Sequence, residues 1–127
     1  MSSNISKITM ERIDDHINFK AKDKNGTTIL MDGSPAVGGQ SNGVSPMETL
    51  LMAAAGCSSI DVVLILKKMK QTISDLKVTV EAERVKVADA TEFKTIHIHF
   101  DLQGDIKEKK LQQAIEMSLE KYFNQKK

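Results

Sequence analysis

A second cysteine is missing from this 127-residue chain. Cys57 therefore has no partner for a disulfide within its own chain, and a cysteine-built zinc site is excluded with it. Tryptophan is absent, tyrosine occurs once and phenylalanine four times, so the core must rest on aliphatic side chains and the seven methionines. Neither sign of charge prevails. With 18 basic residues against 17 acidic ones, a net +1, the chain has no field to gather nucleic acid or an anionic membrane. The opening Met-Ser-Ser-Asn-Ile-Ser-Lys lacks a basic segment followed by an apolar core. The most apolar run, residues 50–66, is interrupted by Ser58, Ser59 and Asp61. The expectation is a soluble, cytoplasmic protein with no nucleic-acid or membrane partner. Missing too are a Gly-x-Ser-x-Gly elbow, a His-Glu-x-x-His pair and a dinucleotide fingerprint. A glycine-rich stretch, residues 32–44, does precede a helix signal, but Gly43 is followed by Val44 and Ser45 rather than by Lys and Ser or Thr. Nucleotide binding is not expected, and the stretch reads as a connector or a substrate-access loop.

What is present describes one domain, residues 1–127, of α+β class. Ile17, Phe19 and Ala21 alternate with polar neighbours, Asp23-Lys24-Asn25-Gly26 supplies a turn, and residues 27–31 return as a second strand. A weaker strand over residues 5–13 makes the pair a meander. Ser45, Pro46 and Glu48 form a capping box with proline at the first helical position. From there apolar residues run almost all round a helix to Leu66, which places it at the centre of the fold, and Lys67, Lys68 and Lys70 suit its C-terminal end. Ala53, Ala54, Ala55 and Gly56 leave its middle thin, so that a ligand or another helix can approach next to Cys57. Residues 77–87 alternate and then change parity, which predicts a bulge near Arg84. Residues 93–102 alternate cleanly, with Ile96, Ile98, Phe100 and Leu102 on one face. Asp105 and Glu108 form a second capping box, ahead of an apolar stripe of Leu111, Ala114, Ile115, Ser118, Leu119 and Tyr122.

If the chain is a catalyst, Cys57 carries the chemistry as a lone nucleophile, with any resolving thiol supplied from outside. The plainer alternative is a cysteine packed as a small hydrophobe. Glu48 invites a role as its partner. Nine residues at about 100° each, however, set the two on opposite sides of a straight helix with about 13 Å of rise between them. Capping accounts for Glu48 unless a contact is supplied across a dimer. Asp61, one turn past Cys57 on the same face, disfavours a thiolate unless a cation pairs with it. Arg12 and Arg84, the only arginines, both fall on strands, where surface placement is the rule. His97 and His99 share a strand face at the spacing of two metal ligands. A third, such as His16 or Asp101, would be needed, and a polar strand face is the expectation, with no metal and no cofactor.

The run from Gly38-Gly39 through Ser45-Pro46-Met47-Glu48-Thr49-Leu50 to Ala53-Ala54-Ala55-Gly56-Cys57 resembles the loop and central helix of the OsmC/Ohr family. Residues 102–111 and 118–122 resemble that family's last strand and helix, and Cys57-Ser-Ser-Ile-Asp-Val-Val resembles its short, YhfA-like branch. The resemblance implies an antiparallel sheet packed on a long central helix, a C-terminal helix, and an intertwined homodimer. It implies reduction of organic hydroperoxides with Cys57 as peroxidatic thiol, and it matches Glu48 and, more loosely, Arg12 to the family's catalytic glutamate and arginine. Two departures bear on mechanism. Phe123 follows Tyr122 where characterised peroxidases carry a resolving cysteine, and Met47 separates Pro46 from Glu48. A one-cysteine cycle completed by an external thiol reductant remains open. The alternative is a non-enzymatic relative that binds a small apolar or thiol-bearing ligand at the dimer interface.

Overall fold

The computed structural model of the chain describes residues 5–123, with side chains described as far as residue 120. The reading of residues 1–4 as lacking a leader and the place of the Tyr122 side chain lie outside that description. Two compact units are present, one up to Leu50 and one from Leu51.

The first unit is a three-stranded antiparallel meander of β1 (Thr9–Arg12), β2 (Phe19–Lys22) and β3 (Thr28–Met31). Its registers pair Met10 with Ala21 and Ala21 with Ile29. The β2–β3 turn closes as the sequence predicts. Asp23 Oδ1 accepts from the amides of Asn25 and Thr27, both at 2.9 Å, and Gly26 takes φ 87°, a conformation that side-chain-bearing residues rarely adopt. After β3 the glycine-rich loop contains one short 3-10 turn, Pro35–Val37.

Helix α1 (Pro46–Lys68) starts where its capping signal lies, with the Glu48 amide donating to Ser45 Oγ at 3.1 Å. Replacing Ser45 with alanine removes that acceptor and is expected to lower stability by about 1 kcal/mol, read as a shift in urea midpoint at constant slope. At its far end Lys70 takes φ 62° and the Gln71 amide donates to the Leu66 carbonyl at 2.9 Å, a Schellman-type close. The expectation of a centrally buried helix holds for one stripe only. Ser58, Val62 and Leu66, spaced by four, are buried, whereas Leu50, Met52, Ile60 and Leu64 are each more than half exposed. By length and composition α1 also qualifies as a bilayer-crossing helix, with Ser58, Ser59 and Asp61 at its middle.

The second unit pairs β4 (Thr72–Val87) with β5 (Ala90–Asp105) in a long antiparallel hairpin, followed by α2 (Glu108–Phe123). Among the described residues each of these strands pairs only with the other. Leu76 opposite Leu102, Val78 opposite Phe100 and Val80 opposite Ile98 form the inner face. There Phe100, Leu102, Ile73 and Ile106 pack on a core of Val62, Leu66 and Ala114. Burying a side chain such as Leu66 contributes about 1.5–3 kcal/mol. The bulge expected near Arg84 is present between Glu83 and Arg84, and a second interrupts the register between Ile73 and Asp75. One expectation is corrected. Asp105 does not cap α2: it stays in β5 opposite Thr72, and the helix begins three residues later with the Leu111 amide donating to the Lys107 carbonyl. The Lys107 amide is taken by Gln71 Oε1 at 2.7 Å, so the end of α1 and the start of α2 share one glutamine.

Candidate functional site

Cys57 sits at mid-length of α1 in the second unit, and its side chain is exposed. The thin stretch before it is half-buried from Ala54 to Gly56, and a Cβ added at Gly56 would meet nothing within 4 Å beyond its chain neighbours and its own helix backbone. Around the thiol the helix is held from behind. Ser118 of α2 donates from Oγ to the carbonyl of Ser58 at 3.0 Å, and both serines are fully buried. The residue next to Cys57 thus anchors the helix to α2, while Cys57 itself faces outward. Such a thiol is accessible to a solute, which a packed core cysteine is not.

The other two sequence-derived candidates belong to the first unit. Glu48 lies in the first turn of α1 and is exposed, and its amide takes part in the cap. Arg12 ends β1, paired with Phe19 of β2, and is also exposed. Asp61 is half-buried one turn beyond Cys57. Arg84, the alternative cation, is engaged elsewhere: its guanidinium lies over the Phe93 ring at 5.6 Å from the centroid, across the bulge. His97 and His99 are exposed on the outer face of the hairpin opposite Glu81 and Thr79. Among the described residues no group of three His, Cys, Asp or Glu side chains gathers to hold a metal.

The first unit also contains features the sequence did not single out. An apolar cleft of about 490 Å³ is lined by Met10, Ile17, Phe19, Met31, Val37 and Pro46 together with Asp32 and Gly33. Asp32 itself is buried, and the backbone supplies its partners. The Asn42 amide does most to hold its carboxyl below the ordinary value, opposed by burial and helped by the Gly33 and Gln40 amides and the charge of His16. A group depressed in this way contributes stability that is full above its unfolded value and is lost as pH falls through the folded one. The available sequence signal was an aspartate closing a strand ahead of a glycine-rich loop, where an acceptor meets many unpaired amides.

The sequence profile of the family described as OsmC-like protein matches residues 38–122. Over 107 residues, 84% of this chain and 76% of the relative, the chain is 40% identical to the protein YhfA of Escherichia coli strain K12. A hypothetical protein from Aquifex aeolicus VF5 has a crystal structure similar to this one at a TM-score of 0.80, with 30% identity and coverage of 94% of this chain and 83% of that one. An organic hydroperoxide resistance protein OsmC from Legionella pneumophila shares the fold at a TM-score of 0.71 over 94% of this chain and 85% of its own, with 11% identity.

Proposed function

The chain belongs to the OsmC-like protein family, and from that premise we propose that it reduces organic hydroperoxides through Cys57, as one subunit of a homodimer. The observation that carries the reading is the exposed lone thiol on the helix that the family profile covers. The profile runs across both compact units, which supports treating residues 1–127 as one OsmC-like domain.

In the proposed cycle the Cys57 thiolate attacks the terminal oxygen of the hydroperoxide. The O–O bond breaks, the alkoxide takes a proton and leaves as alcohol, and the sulfur becomes a sulfenic acid. An external thiol then attacks that sulfur, releasing water and leaving a mixed disulfide, and a second external thiol frees Cys57. No resolving cysteine exists in the chain to replace the external thiol. Glu48 and Arg12 are proposed as the polar partners of the reaction, the arginine favouring the thiolate and the developing alkoxide, the carboxylate orienting the arginine. Because about 100° per residue would set Glu48 and Cys57 on opposite sides of a straight helix, we assign the partner role to a second copy of the chain. That copy would also cover Leu50, Met52, Ile60 and Leu64, and α1 would then be the core helix of a soluble, cytoplasmic assembly rather than a membrane span.

The test is intact-mass analysis after brief exposure to stoichiometric cumene hydroperoxide with a sulfenic-acid trap. Rapid trapping in the wild-type chain is the expected outcome. Trapping no faster than for glutathione would remove the peroxidase reading. The apolar cleft supports one second reading, a non-enzymatic carrier of a small apolar or thiol-bearing ligand. In that case Cys57 reacts slowly and the ligand raises the melting temperature.

A further inference from the structure

Asp32 is 3% exposed, a burial that an ionised carboxylate tolerates only when its oxygens are engaged. Oδ1 accepts from the Gly33 amide at 2.7 Å, and Oδ2 accepts from the amides of Gln40 at 3.3 Å and Asn42 at 3.1 Å. The loop has no core of its own to hold it, since Val37, one of its few large apolar residues, is 68% exposed. Its remaining order is mainly backbone on backbone, the Gly39 amide donating to Ser34 O and the Ser41 amide to Gly33 O, beside one long side-chain bond from Asn42 Nδ2 to Gln40 Oε1 at 3.4 Å. Gly39 passes so near the carboxylate that a Cβ there would run into the Gly33 main chain and stand 2.7 Å from Asp32 Oδ1. The loop is therefore wound onto one side chain.

Its far end is tied back to the same strand. The Val44 amide donates to Leu30 O at 3.0 Å and the Asp32 amide to Val44 O at 3.1 Å, which bridges Met31 and Val44. Ser45 follows at once and caps the turn that holds Glu48. From Asn42, the last amide on the carboxylate, to Glu48 there is no slack segment in which a displaced loop could recover its course.

We propose that Asp32 is a positioning residue, whose carboxylate gathers the amides of Gly33, Gln40 and Asn42 and so sets where the first turn of α1, with Pro46 and Glu48, stands. Only the catalytic consequence rests on the role proposed above for Glu48; the placement does not. Hydrogen exchange of the wild-type chain and Asp32→Asn reads it directly. The expected result is exchange faster by about tenfold or more at Gln40 and Asn42, the scale of a lost charge-assisted bond, with the same direction at Glu48 and Thr49. The β4–β5 amides keep their protection and report an intact fold. Unchanged protection at Gln40 and Asn42 overturns the proposal, as does a loss that stops short of Glu48. Should Asp32→Asn also lose hairpin protection, Asp32→Ser, which removes the carboxylate with a smaller side chain, is read by the same criteria.

The catalytic consequence is read by a double-mutant cycle on Cys57 oxidation by cumene hydroperoxide. If Asp32 acts through Glu48, the slowing caused by Asp32→Asn disappears in a Glu48→Gln background, whereas additive effects refute action through Glu48. A wild-type chain that is not oxidised at all refutes the peroxidase reading instead, and exchange then decides the placement alone.

Discussion

Replacing Cys57 with serine is expected to reduce thiol-dependent consumption of cumene hydroperoxide to the rate of reductant alone, a loss of at least about two orders of magnitude. The chain offers no other sulfur nucleophile except methionine thioethers, and a serine hydroxyl does not become an oxidisable anion near neutral pH. The substitution also separates chemistry from folding. Cys57 is exposed, so the exchange of sulfur for oxygen is expected to leave stability within about 0.5 kcal/mol. Loss of turnover with an unchanged melting curve assigns the reaction to the thiol. Turnover that survives in the variant sinks the one-cysteine cycle.

The second large effect is expected on α1. Ile60 and Leu64 are 62% and 51% exposed and lie one turn apart, with Leu50 and Met52 also open further up the helix. Covered by a second copy, each contributes about 1.5–3 kcal/mol, and a charge in its place adds a desolvation cost. Ile60→Asp combined with Leu64→Asp is therefore expected to weaken association by more than about a thousandfold, since 1.4 kcal/mol is a factor of ten. Sedimentation equilibrium at micromolar concentration should show two copies for the wild-type chain and monomer, or unfolded chain, for the variant. A wild-type monomer, or a variant that stays associated, removes the dimer from the account.

The parts of this structure that the sequence disclosed are those determined by neighbours in the chain. Ser45, Pro46 and Glu48 announce a helix start because capping is complete within four residues, and Asn25-Gly26 announces a turn for the same reason. Asp105 misled by the same logic. Its capping pattern is local, but opposite it stands Thr72, some thirty residues away, and the ladder kept it. β4 begins five residues before its alternation becomes legible, because the irregularity between Ile73 and Asp75 scrambles the parity of its first turn of sequence. At the candidate site Cys57 is conspicuous as the single thiol. Asp32 is not: its three donors come from one, eight and ten residues away along a loop without periodicity, and nothing in the spacing reveals that they converge.

The long hairpin has a kinetic consequence. β4 and β5 each keep one edge without a neighbouring strand among the described residues, about 50 Å of open backbone on either side. The hairpin can zip early, since its pairings grow outward from a tight turn. What it then presents to the cell is a sticky template, equally ready for a correct neighbour and for a stray strand. If that neighbour is a second copy, as proposed above, the slow, concentration-dependent step falls last, and chains made in close succession on one messenger would reach it with the least exposure to the wrong partner.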